Sequence, residues 1–305
     1  MHVILTGATG LVGSAALDAM IKTKDITKIS ILSRRPVPMA EEAKDPRINV
    51  ILQSEFDKYD PELLKQLQGA KGCVWALGIS QTKVDADTYV KVTKDYALEA
   101  AKAFATLSTG EAEPFRFVYV SGAGATQTPG RFSPIFARVK GETEKALADL
   151  TASTPTLHVD SPRPAFVDAA HHKAIQPYIP DPGAVHNVSM FFLGPPIRAL
   201  MKGMHSPTPM LGDFLTQLAM GKMDGRLEGT PGASKLGPSW IGPSKSGQEY
   251  CVVLVTEAGR RGRDAGPGCE CYQNDGYEHV ATAPKRYIVD YEIFELRWTD
   301  LFKRL

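Results

Sequence analysis

Short apolar runs alternate with amphipathic segments along the first half of the chain, and this alternation predicts strands followed by helices. Strands are predicted where a short run is rich in branched aliphatic and aromatic residues. These runs lie at 3–5, 28–32, 47–52, 72–78, 115–120 and 156–159. Helices, with apolar residues at helical spacing, are predicted after residue 10 and at 61–67, 87–107 and 134–150. Such alternation predicts a parallel sheet with right-handed crossovers, which is a doubly wound α/β fold.

The pattern changes in the C-terminal third. Residues 168–224 contain short predicted helices at 197–201 and 210–220, and we expect this part to form a small cap over the substrate cleft. Residues 225–276 are rich in glycine and have few apolar runs, so they bury too little apolar surface to order themselves. The last stretch, 287–305, has apolar residues that could add a strand or helix to the body or pack on a partner. The sequence therefore predicts one domain over 1–224, including the cap, followed by a tail of low order over 225–305. An alternative splice product or a mispredicted gene model would also explain the tail.

Charge and hydropathy narrow the classes of partner. The chain has 305 residues, and its 35 Lys and Arg against 34 Asp and Glu give a net charge of +1. This balance argues against nucleic acid or a charged membrane surface as the main partner. No apolar run approaches the roughly 18 residues of a membrane span, so no transmembrane segment is predicted.

The four cysteines do not predict a metal site. Cys73 lies within an apolar run and is interpreted as a core thiol, while Cys269 and Cys271 stand too close together for a zinc half-site. No signal peptide precedes the first predicted strand, which begins near the start of the chain. A reducing, cytoplasmic compartment is therefore expected.

A glycine-rich turn joins the first predicted strand to the first predicted helix, in the segment GATGLVG at 7–13. The first glycine of such a turn permits a sharp bend, the second lets the backbone approach a pyrophosphate, and the third lets the helix pack on the strand. The N–H groups at the helix start then face the phosphates. The predicted dinucleotide site consists of Gly7, Thr9, Gly10, Leu11, Val12 and Gly13. A doubly wound fold that has lost its cofactor is the alternative.

The end of the second strand predicts which dinucleotide is bound. In NAD-specific folds an acidic residue stands about twenty positions after the glycines and binds the ribose 2′-hydroxyl. This place holds Ser33, Arg34 and Arg35, without a carboxylate. Guanidinium groups suit a 2′-phosphate in charge and geometry, so NADP is predicted as the cofactor rather than NAD. A solvated basic turn is the alternative interpretation.

The end of the fourth strand extends the predicted site. Ligands of open α/β sheets bind outside the carboxyl ends of the strands. Leu77 and Gly78 stand at the end of this strand. We therefore predict that both residues lie beside the ribose on the nicotinamide side of the cofactor.

Several segments together resemble one protein family. They are GATGLVG at 7–13, ILSRRP at 31–36, the stretch at 77–105, FVYVSGAGA at 117–125, FARVKGETE at 136–144 and SPRPAFV at 161–167. With them the chain resembles an atypical short-chain dehydrogenase/reductase, close to the Tat-interacting-protein-like oxidoreductases and their fungal mitochondrial-surface relatives. The resemblance covers about residues 1–220. It implies a Rossmann fold, NAD(P) binding and, as an alternative to the cytoplasm, the mitochondrial outer membrane surface.

The resemblance also implies catalytic positions, and one of them differs in this chain. The superfamily uses a Tyr-x-x-x-Lys on one helix face, with the tyrosine transferring a proton and the lysine holding the ribose. Lys140 stands at the lysine position, but Phe136 stands at the tyrosine position. A phenyl ring cannot relay a proton. The resemblance implies that Lys140 binds the cofactor and takes part in catalysis, and an exposed lysine on a helix is the alternative interpretation.

The superfamily also uses a Ser or Thr after the fifth strand, whose hydroxyl orients the substrate carbonyl. Ser121 is the first candidate in this chain. It stands one or two residues early for this role, where the sequence has Gly122 and Ala123, and Thr126 is a second candidate. A hydrogen-bonding residue at the end of a strand is the alternative interpretation of Ser121.

Two functions are consistent with these residues. The first is an NADP(H)-binding oxidoreductase-like protein of the atypical class, with weak or specialised reduction of a small carbonyl compound. The second is a cofactor-sensing or regulatory binding protein without turnover, which Phe136 favours. The predicted partners are a nicotinamide dinucleotide and an unidentified small molecule. The second function also allows a protein partner.

Overall fold

A computed structural model describes residues 1–108, 113–181, 205–230 and 232–243. Its strands are β1 (His2–Thr6), β2 (Lys28–Ser33), β3 (Ile48–Leu52), β4 (Ala70–Trp75), β5 (Phe115–Tyr119), β6 (Leu157–Arg163), β7 (Phe166–Asp168), β8 (His205–Pro207), β9 (Ser234–Leu236) and β10 (Ser239–Pro243). An eight-stranded sheet has the order β3-β2-β1-β4-β5-β6-β10-β9, and β7 pairs with β8 separately. The neighbours in the large sheet are parallel except for β10 and β9. The predicted doubly wound α/β fold is confirmed.

Helices connect the parallel strands. They are α1 (Leu11–Lys22), α2 (Pro38–Ala43), α3 (Pro61–Gln66), α4 (Ala86–Val90), α5 (Tyr96–Ala105), α6 (Ile135–Ser153) and α7 (Thr208–Ala219). A π-helical turn at Lys91–Asp95 joins α4 to α5, so the helix predicted at 87–107 contains a wider turn that apolar spacing does not reveal. The hydroxyl of the buried Tyr119 donates to the Thr93 carbonyl oxygen in this turn, at 3.3 Å. The turn thereby provides the hydrogen-bond partner of a buried phenol.

Alternate residues of the central strands face opposite sides of the sheet and belong to two separate cores. Val3 and Leu5 of β1 pack with α1, α2 and α7. Ile4, between them, packs on the other side with residues of α5 and α6. The alternation follows from the two-residue repeat of an extended chain. Helices therefore cover both faces, as a parallel sheet with apolar residues on both faces requires.

Helix α7 belongs to the core of the fold, and the prediction that its residues form part of the cap is corrected. Leu211 and Leu215 are buried in the same core as α1. A Cβ atom on Gly212 would lie 2.2 Å from the Ala15 carbonyl oxygen, so the absence of a side chain lets α7 lie directly on α1. The other helix predicted in the cap, at 197–201, lies outside the described residues.

The boundary predicted at residue 225 differs from the structure. Strand β10 pairs in parallel with β6, placing Trp240 opposite Asp160. The Trp240 N–H donates to the Asp160 carboxylate at 3.3 Å, and Ile241 is buried. The segment is too short and too close to glycines to predict a strand, but an existing sheet edge provides its hydrogen bonds. The fold therefore extends at least to Pro243, and residues 244–305 of the predicted tail lie outside the described residues.

His2, at the start of β1, should make stability depend on pH. Burial, assisted by the charge of Lys28, lowers the pKa of His2 to about 4, and its Nε2 lies 2.9 Å from Ser30 Oγ. The unfolded chain binds a proton near pH 6.5 while the native state does not, so stability falls as the pH falls from about 6.5 to about 4. Urea unfolding should show a loss of about 2 kcal/mol from His2 between pH 7 and pH 5.

A His2→Gln variant isolates this contribution. Its stability should change less between pH 7 and pH 5 than that of the wild type, by about 2 kcal/mol. The comparison also removes the effect of His158, whose pKa is raised by its hydrogen bond to Asp160. The contribution of His158 has the opposite sign, because it is present at low pH and is lost as the pH rises. An identical pH dependence in both proteins would contradict the role of His2.

Candidate cofactor and active site

The strand order of the large sheet reverses between β1 and β4, which are parallel neighbours. Thr6 pairs with Trp75 at their carboxyl ends, and the Leu77 N–H donates to Thr6 Oγ1 at 3.2 Å. The chain after β1 continues into α1 on one face, whereas the helical run after β4 packs on the other face through α5. A crevice therefore opens between the two connections. Open α/β sheets bind their ligands at such a reversal of strand order.

The structure explains each of the three glycines of the β1–α1 turn in a different way. Gly7 has a φ of +71°, and a Cβ atom on it would lie 2.3 Å from the Ala76 carbonyl oxygen. A Cβ atom on Gly13 would lie 2.0 Å from the Gly7 carbonyl oxygen. A Cβ atom on Gly10, by contrast, would meet just that same oxygen within 4 Å, at 3.3 Å. The fold itself needs the first and third glycines, and the second borders free space that fits a ligand lying close to the backbone.

Helix α1 begins directly at this free space. Its N-cap residue, Gly10, provides no side-chain cap, and its first turn contains no acidic residue. The N–H groups of the first turn, which include those of Leu11 and Val12, have no partner within the helix, and the helix dipole favours an anion there. A Cβ atom on Gly78, after β4, would meet no atom within 4 Å. The residues predicted for a dinucleotide therefore fit the pyrophosphate of one.

The two candidate arginines differ in their contacts, although both are exposed. Arg35 Nη2 donates to Thr9 Oγ1 at 3.2 Å, which connects the end of β2 to the glycine turn. No side-chain hydrogen bond of Arg34 occurs among the described residues. A cleft of about 260 Å³ opens beside Thr9 and Arg35, and its far wall includes Tyr178 and Pro180. Arg35 is therefore better placed than Arg34 for an anionic group at the glycine turn.

Lys140 lies on α6 with its ammonium group against the end of β5. Its Nζ donates to the carbonyl oxygens of Ser121 at 2.7 Å and Val120 at 3.1 Å, and it lies 6.0 Å from the centre of the Tyr119 ring. Burial lowers the pKa of Lys140 to about 8, and the charge of Glu144 opposes this shift. Because an ammonium group has three N–H donors, Lys140 retains one for a ligand.

The Ser121 hydroxyl is bound to a buried carboxylate. Ser121 Oγ donates to Glu144 Oε1 at 2.5 Å, and Glu144, on α6, is 1% exposed. Arg163, at the end of β6, donates to both oxygens of this carboxylate at 2.7 and 2.5 Å, and Gln127 donates to Oε2 at 2.5 Å. An ionised carboxylate accepts hydrogen bonds and donates none, and all of these groups are donors. The Ser121 proton is therefore directed at Glu144.

Phe136 lies one helical turn before Lys140, at the start of α6. Its N–H donates to Gln81 Oε1 at 3.1 Å, which connects α6 to the loop after β4. A Cβ atom on Gly124 would lie 3.6 Å from the Phe136 ring, so the ring borders the loop that follows β5. Position 136 thus adjoins the predicted active site but provides no hydroxyl.

Thr126, the second candidate for the hydroxyl, belongs to the turn before α6. Its Oγ1 accepts the Thr128 N–H at 3.2 Å, and its own N–H donates to the Ala137 carbonyl oxygen at 3.0 Å. A Cβ atom on Gly141 would lie 1.9 Å from the Thr126 carbonyl oxygen, so the turn packs directly on α6. The hydrogen bonds of Thr126 are therefore local to this turn.

Three residues of the site are not predicted from the sequence. Glu144 stands four residues after Lys140, so the helical repeat places both on one face, and this spacing could have identified it. Arg163 belongs to the segment SPRPAFV, but nothing local to that segment shows that its guanidinium group reaches α6. Gln81 lies in a loop whose path depends on tertiary contacts. Helical spacing was thus a usable signal for Glu144 alone.

Solved structures with the same fold come from the short-chain dehydrogenase/reductases. A short-chain dehydrogenase/reductase from Serratia marcescens matches with a TM-score of 0.55 and 13% identity, over 80% of this chain and 96% of that one. The aldohexose dehydrogenase of Thermoplasma acidophilum matches with a TM-score of 0.55 and 13% identity, over 82% of this chain and 94% of that one. At this level of identity the likeness establishes the fold. No family model matches the chain.

Similar sequences occur among fungal biosynthesis-cluster proteins. Botcinic acid biosynthesis cluster B protein 16 of Botryotinia fuckeliana is 48% identical over 133 residues, which are 44% of this chain and 84% of that protein. Leucinostatins biosynthesis cluster protein T of Purpureocillium lilacinum is 38% identical over 197 residues, which are 59% and 70% of the two chains. The chain belongs to the atypical short-chain dehydrogenase/reductases. The resemblance inferred from its motifs is thereby confirmed.

More distant members of the atypical short-chain dehydrogenase/reductases match a smaller part of their own length. Protein HTATIP2 of Rattus norvegicus is 27% identical over 148 residues, which are 48% of this chain and 57% of that protein. The mitochondrial protein fmp52 of Emericella nidulans is 28% identical over 150 residues, which are 49% and 61% of the two chains. Together these likenesses support an NAD(P)-binding oxidoreductase-like protein. In the described part of the chain, no helix has the length and apolar character needed to cross a bilayer, and no three metal-ligating side chains cluster.

Proposed function

We propose that this atypical short-chain dehydrogenase/reductase binds NADP(H) in preference to NAD(H). The contact between Arg35 and Thr9 carries the proposal, since it provides a guanidinium group and a hydroxyl at the edge of the glycine turn. A 2′-phosphate carries about two negative charges and several acceptor oxygens, which suit this pair of donors. The adjoining cleft of about 260 Å³ gives a phosphorylated ribose room at the surface.

The residues that would hold the cofactor come from three connections. Gly7, Thr9, Gly10, Leu11, Val12 and Gly13 would hold the pyrophosphate. Leu77, Gly78 and Lys140 would lie at the ribose on the nicotinamide side, with the remaining N–H of Lys140 as a donor to its hydroxyls. Arg35 would be the main contact of the 2′-phosphate, with Arg34 secondary. When bound, the nicotinamide ring supplies or accepts a hydride.

The reaction we propose is the reduction of a small carbonyl compound, at a low rate. Phe136 removes the proton donor that this chemistry uses, and losing a general acid costs about 10² to 10⁴ in rate. Two relatives are named for the biosynthesis of botcinic acid and leucinostatins, which suggests a substrate among such natural products. We propose the cytoplasm as the location, with the mitochondrial surface as the alternative because fmp52 is named as mitochondrial.

A second candidate is a cofactor-sensing or regulatory binding protein. The combination of a complete glycine turn with Phe136 favours it, since the residues for binding are present while the usual proton donor is absent. Such a protein would bind NADP(H) with the same residues and would use the occupied fold to present a surface to another protein.

The preference for NADPH can be measured by calorimetric titration at low ionic strength. A charge-assisted hydrogen bond to the 2′-phosphate contributes about 1.5–3 kcal/mol, so NADPH should bind about ten- to a hundredfold more tightly than NADH. Arg35→Asp should abolish or reverse the preference, because it removes the guanidinium group and adds a negative charge. The preference in the wild type should also decrease with added salt, since the site is exposed.

Arg34→Asp is the matched control for this titration. It makes the same change in charge one residue away, at a side chain without a hydrogen bond to the glycine turn, so it should reduce the preference less than Arg35→Asp does. Equal affinities of the wild type for NADPH and NADH would show that both arginines form a solvated turn, and NADP specificity would be rejected.

A further inference from the structure

Successive residues after β5 point in opposite directions. This stretch is extended beside the chain that follows β6, because the Ser121 N–H donates to the Pro162 carbonyl oxygen and the Ala123 N–H to the Pro164 carbonyl oxygen, both at 2.9 Å. In an extended chain neighbouring side chains lie on opposite sides. Ser121 lies on the side of Glu144, at 2.5 Å, and is 3% exposed. Position 122 therefore lies on the opposite side.

Position 122 is the one beside the Lys140 ammonium group. A Cβ atom on Gly122 would lie 3.7 Å from both Nζ and Cδ of Lys140, and the third of its three nearest atoms is Lys140 Cε at 3.9 Å. A side chain would fit there without displacing a neighbour, because this is an ordinary van der Waals distance. The Phe136 ring borders the same loop, 3.6 Å from where a Cβ atom on Gly124 would lie. Lys140 and Phe136, one helical turn apart on α6, thus both border the loop at positions 122–124.

We propose that residue 122, rather than Ser121, is the position after β5 from which a side chain faces the reacting group of a ligand. This proposal rests on the proposed cofactor site, which puts the nicotinamide end at Lys140. Because position 122 is glycine and position 136 is phenylalanine, the chain has lost two hydroxyls at this spot and keeps the ammonium group of Lys140. A single Phe136→Tyr change therefore leaves the carbonyl oxygen of a substrate without its second donor. The wild type has neither hydroxyl, so it reduces carbonyl compounds only at the low rate proposed above.

Thiol chemistry tests the geometry without requiring activity. Gly122→Cys and Ser121→Cys are made in a protein whose Cys251, Cys269 and Cys271 are replaced by serine, while Cys73 stays because it is fully buried. A thiolate is stabilised by a neighbouring ammonium group and disfavoured beside a carboxylate. Iodoacetamide at pH 7 should therefore alkylate G122C at least about tenfold faster than S121C. Saturating NADPH should slow the alkylation of G122C and leave S121C unaffected.

The assignment of position 122 and the proposed function fail on different outcomes. Equal or faster alkylation of S121C overturns the assignment of position 122. If NADPH fails to bind the wild type in calorimetry, the proposed function fails, but faster alkylation of G122C without cofactor still supports the assignment. Melting temperatures of both variants, with Gly122→Ala as the control for added volume, show whether the fold is intact.

Restoring both hydroxyls should create turnover. In the G122S/F136Y variant, the introduced phenol donates a proton to the carbonyl oxygen while NADPH donates a hydride to the carbonyl carbon. The products are the alcohol and NADP⁺, and the phenolate regains its proton from water. NADPH oxidation with 4-nitrobenzaldehyde and 9,10-phenanthrenequinone should be at least about a hundredfold faster than in the wild type. It should also be at least about tenfold faster than in F136Y or in the matched G122A/F136Y control.

Two results would overturn the prediction that hydroxyls at positions 122 and 136 create turnover. One is a G122S/F136Y protein that binds NADPH but is no faster than F136Y. The other is an F136Y protein whose turnover disappears on adding Ser121→Ala, which would identify Ser121 as the catalytic hydroxyl. Melting temperatures again exclude misfolding, since Ser121 also holds the buried Glu144.

Discussion

Gly10→Val should abolish the binding of NADPH without unfolding the protein. Gly10 has φ and ψ of −102° and 168°, an extended conformation that valine readily adopts. Its Cβ position lies 3.3 Å from the Gly7 carbonyl oxygen, so the fold can accommodate a side chain with a small shift. The side chain would, however, occupy the space in front of the first turn of α1, where a pyrophosphate meets the backbone N–H groups. Calorimetry should show an affinity reduced by more than about a hundredfold, or about 2.7 kcal/mol.

Gly13→Ala is the contrasting variant. The added Cβ atom would lie 2.0 Å from the Gly7 carbonyl oxygen, so α1 must move away from the turn. Such overpacking costs about 1–3 kcal/mol of stability. The melting temperature should therefore fall in Gly13→Ala and stay near that of the wild type in Gly10→Val. A Gly10→Val protein that is fully folded and binds NADPH with unchanged affinity would remove the basis for the cofactor site.

Glu144→Ala should be the most destabilising single substitution around Lys140. It removes the carboxylate that pairs with the Arg163 guanidinium group, which is about 20% exposed, and it removes the acceptor of the Ser121 hydroxyl. Breaking a buried ion pair in this way costs about 3–5 kcal/mol. For a domain of this size the melting temperature should fall by about 6–20 °C. Thermal unfolding followed by circular dichroism measures the change.

Glu142→Ala provides the comparison on the same helix. Glu142 is about half exposed and pairs with Lys94 at 3.3 Å, so its loss should cost at most about 1 kcal/mol. If Glu144→Ala were no more destabilising than Glu142→Ala, the hydrogen bonds of the Glu144 carboxylate would not stabilise the fold around Lys140. The proposal that Ser121 serves Glu144 would then lose its support.

The order of strands and helices could be predicted because parallel strands and their helices leave strong local patterns. Val3 to Leu5 and the run around Cys73 are apolar on both faces of the sheet, which identifies buried strands. The glycine turn was predictable for the same reason, since a bend and a close helix approach each require a residue without a side chain. These features depend on neighbours in sequence.

The parts that could not be predicted depend on contacts between distant residues. Ser121 is adjacent in sequence to Gly122, and no local pattern shows which of the two faces Lys140. The hydrogen bonds to the chain after β6 decide this. Strand β10 likewise forms because the edge of β6 is available, and Trp240 carries no strand signal strong enough to outweigh the glycines around it. The role of helix α7 in the core also depends on Gly212 meeting α1.

The pairing of β10 with β6 has a consequence for folding during synthesis on the ribosome. Six parallel strands, from β3 to β6 in the sheet, are complete once residue 163 has left the exit tunnel. The outer edge of β6 then stays without a neighbour until residues 239–243 emerge, and the face that α7 covers stays bare until residues 208–219 emerge. An open strand edge and an apolar face are the surfaces through which nascent chains aggregate or bind chaperones. The N-terminal part of this protein therefore contains the glycine turn, but strand β10 and helix α7 of the C-terminal part cover the open edge and the apolar face of the nascent sheet.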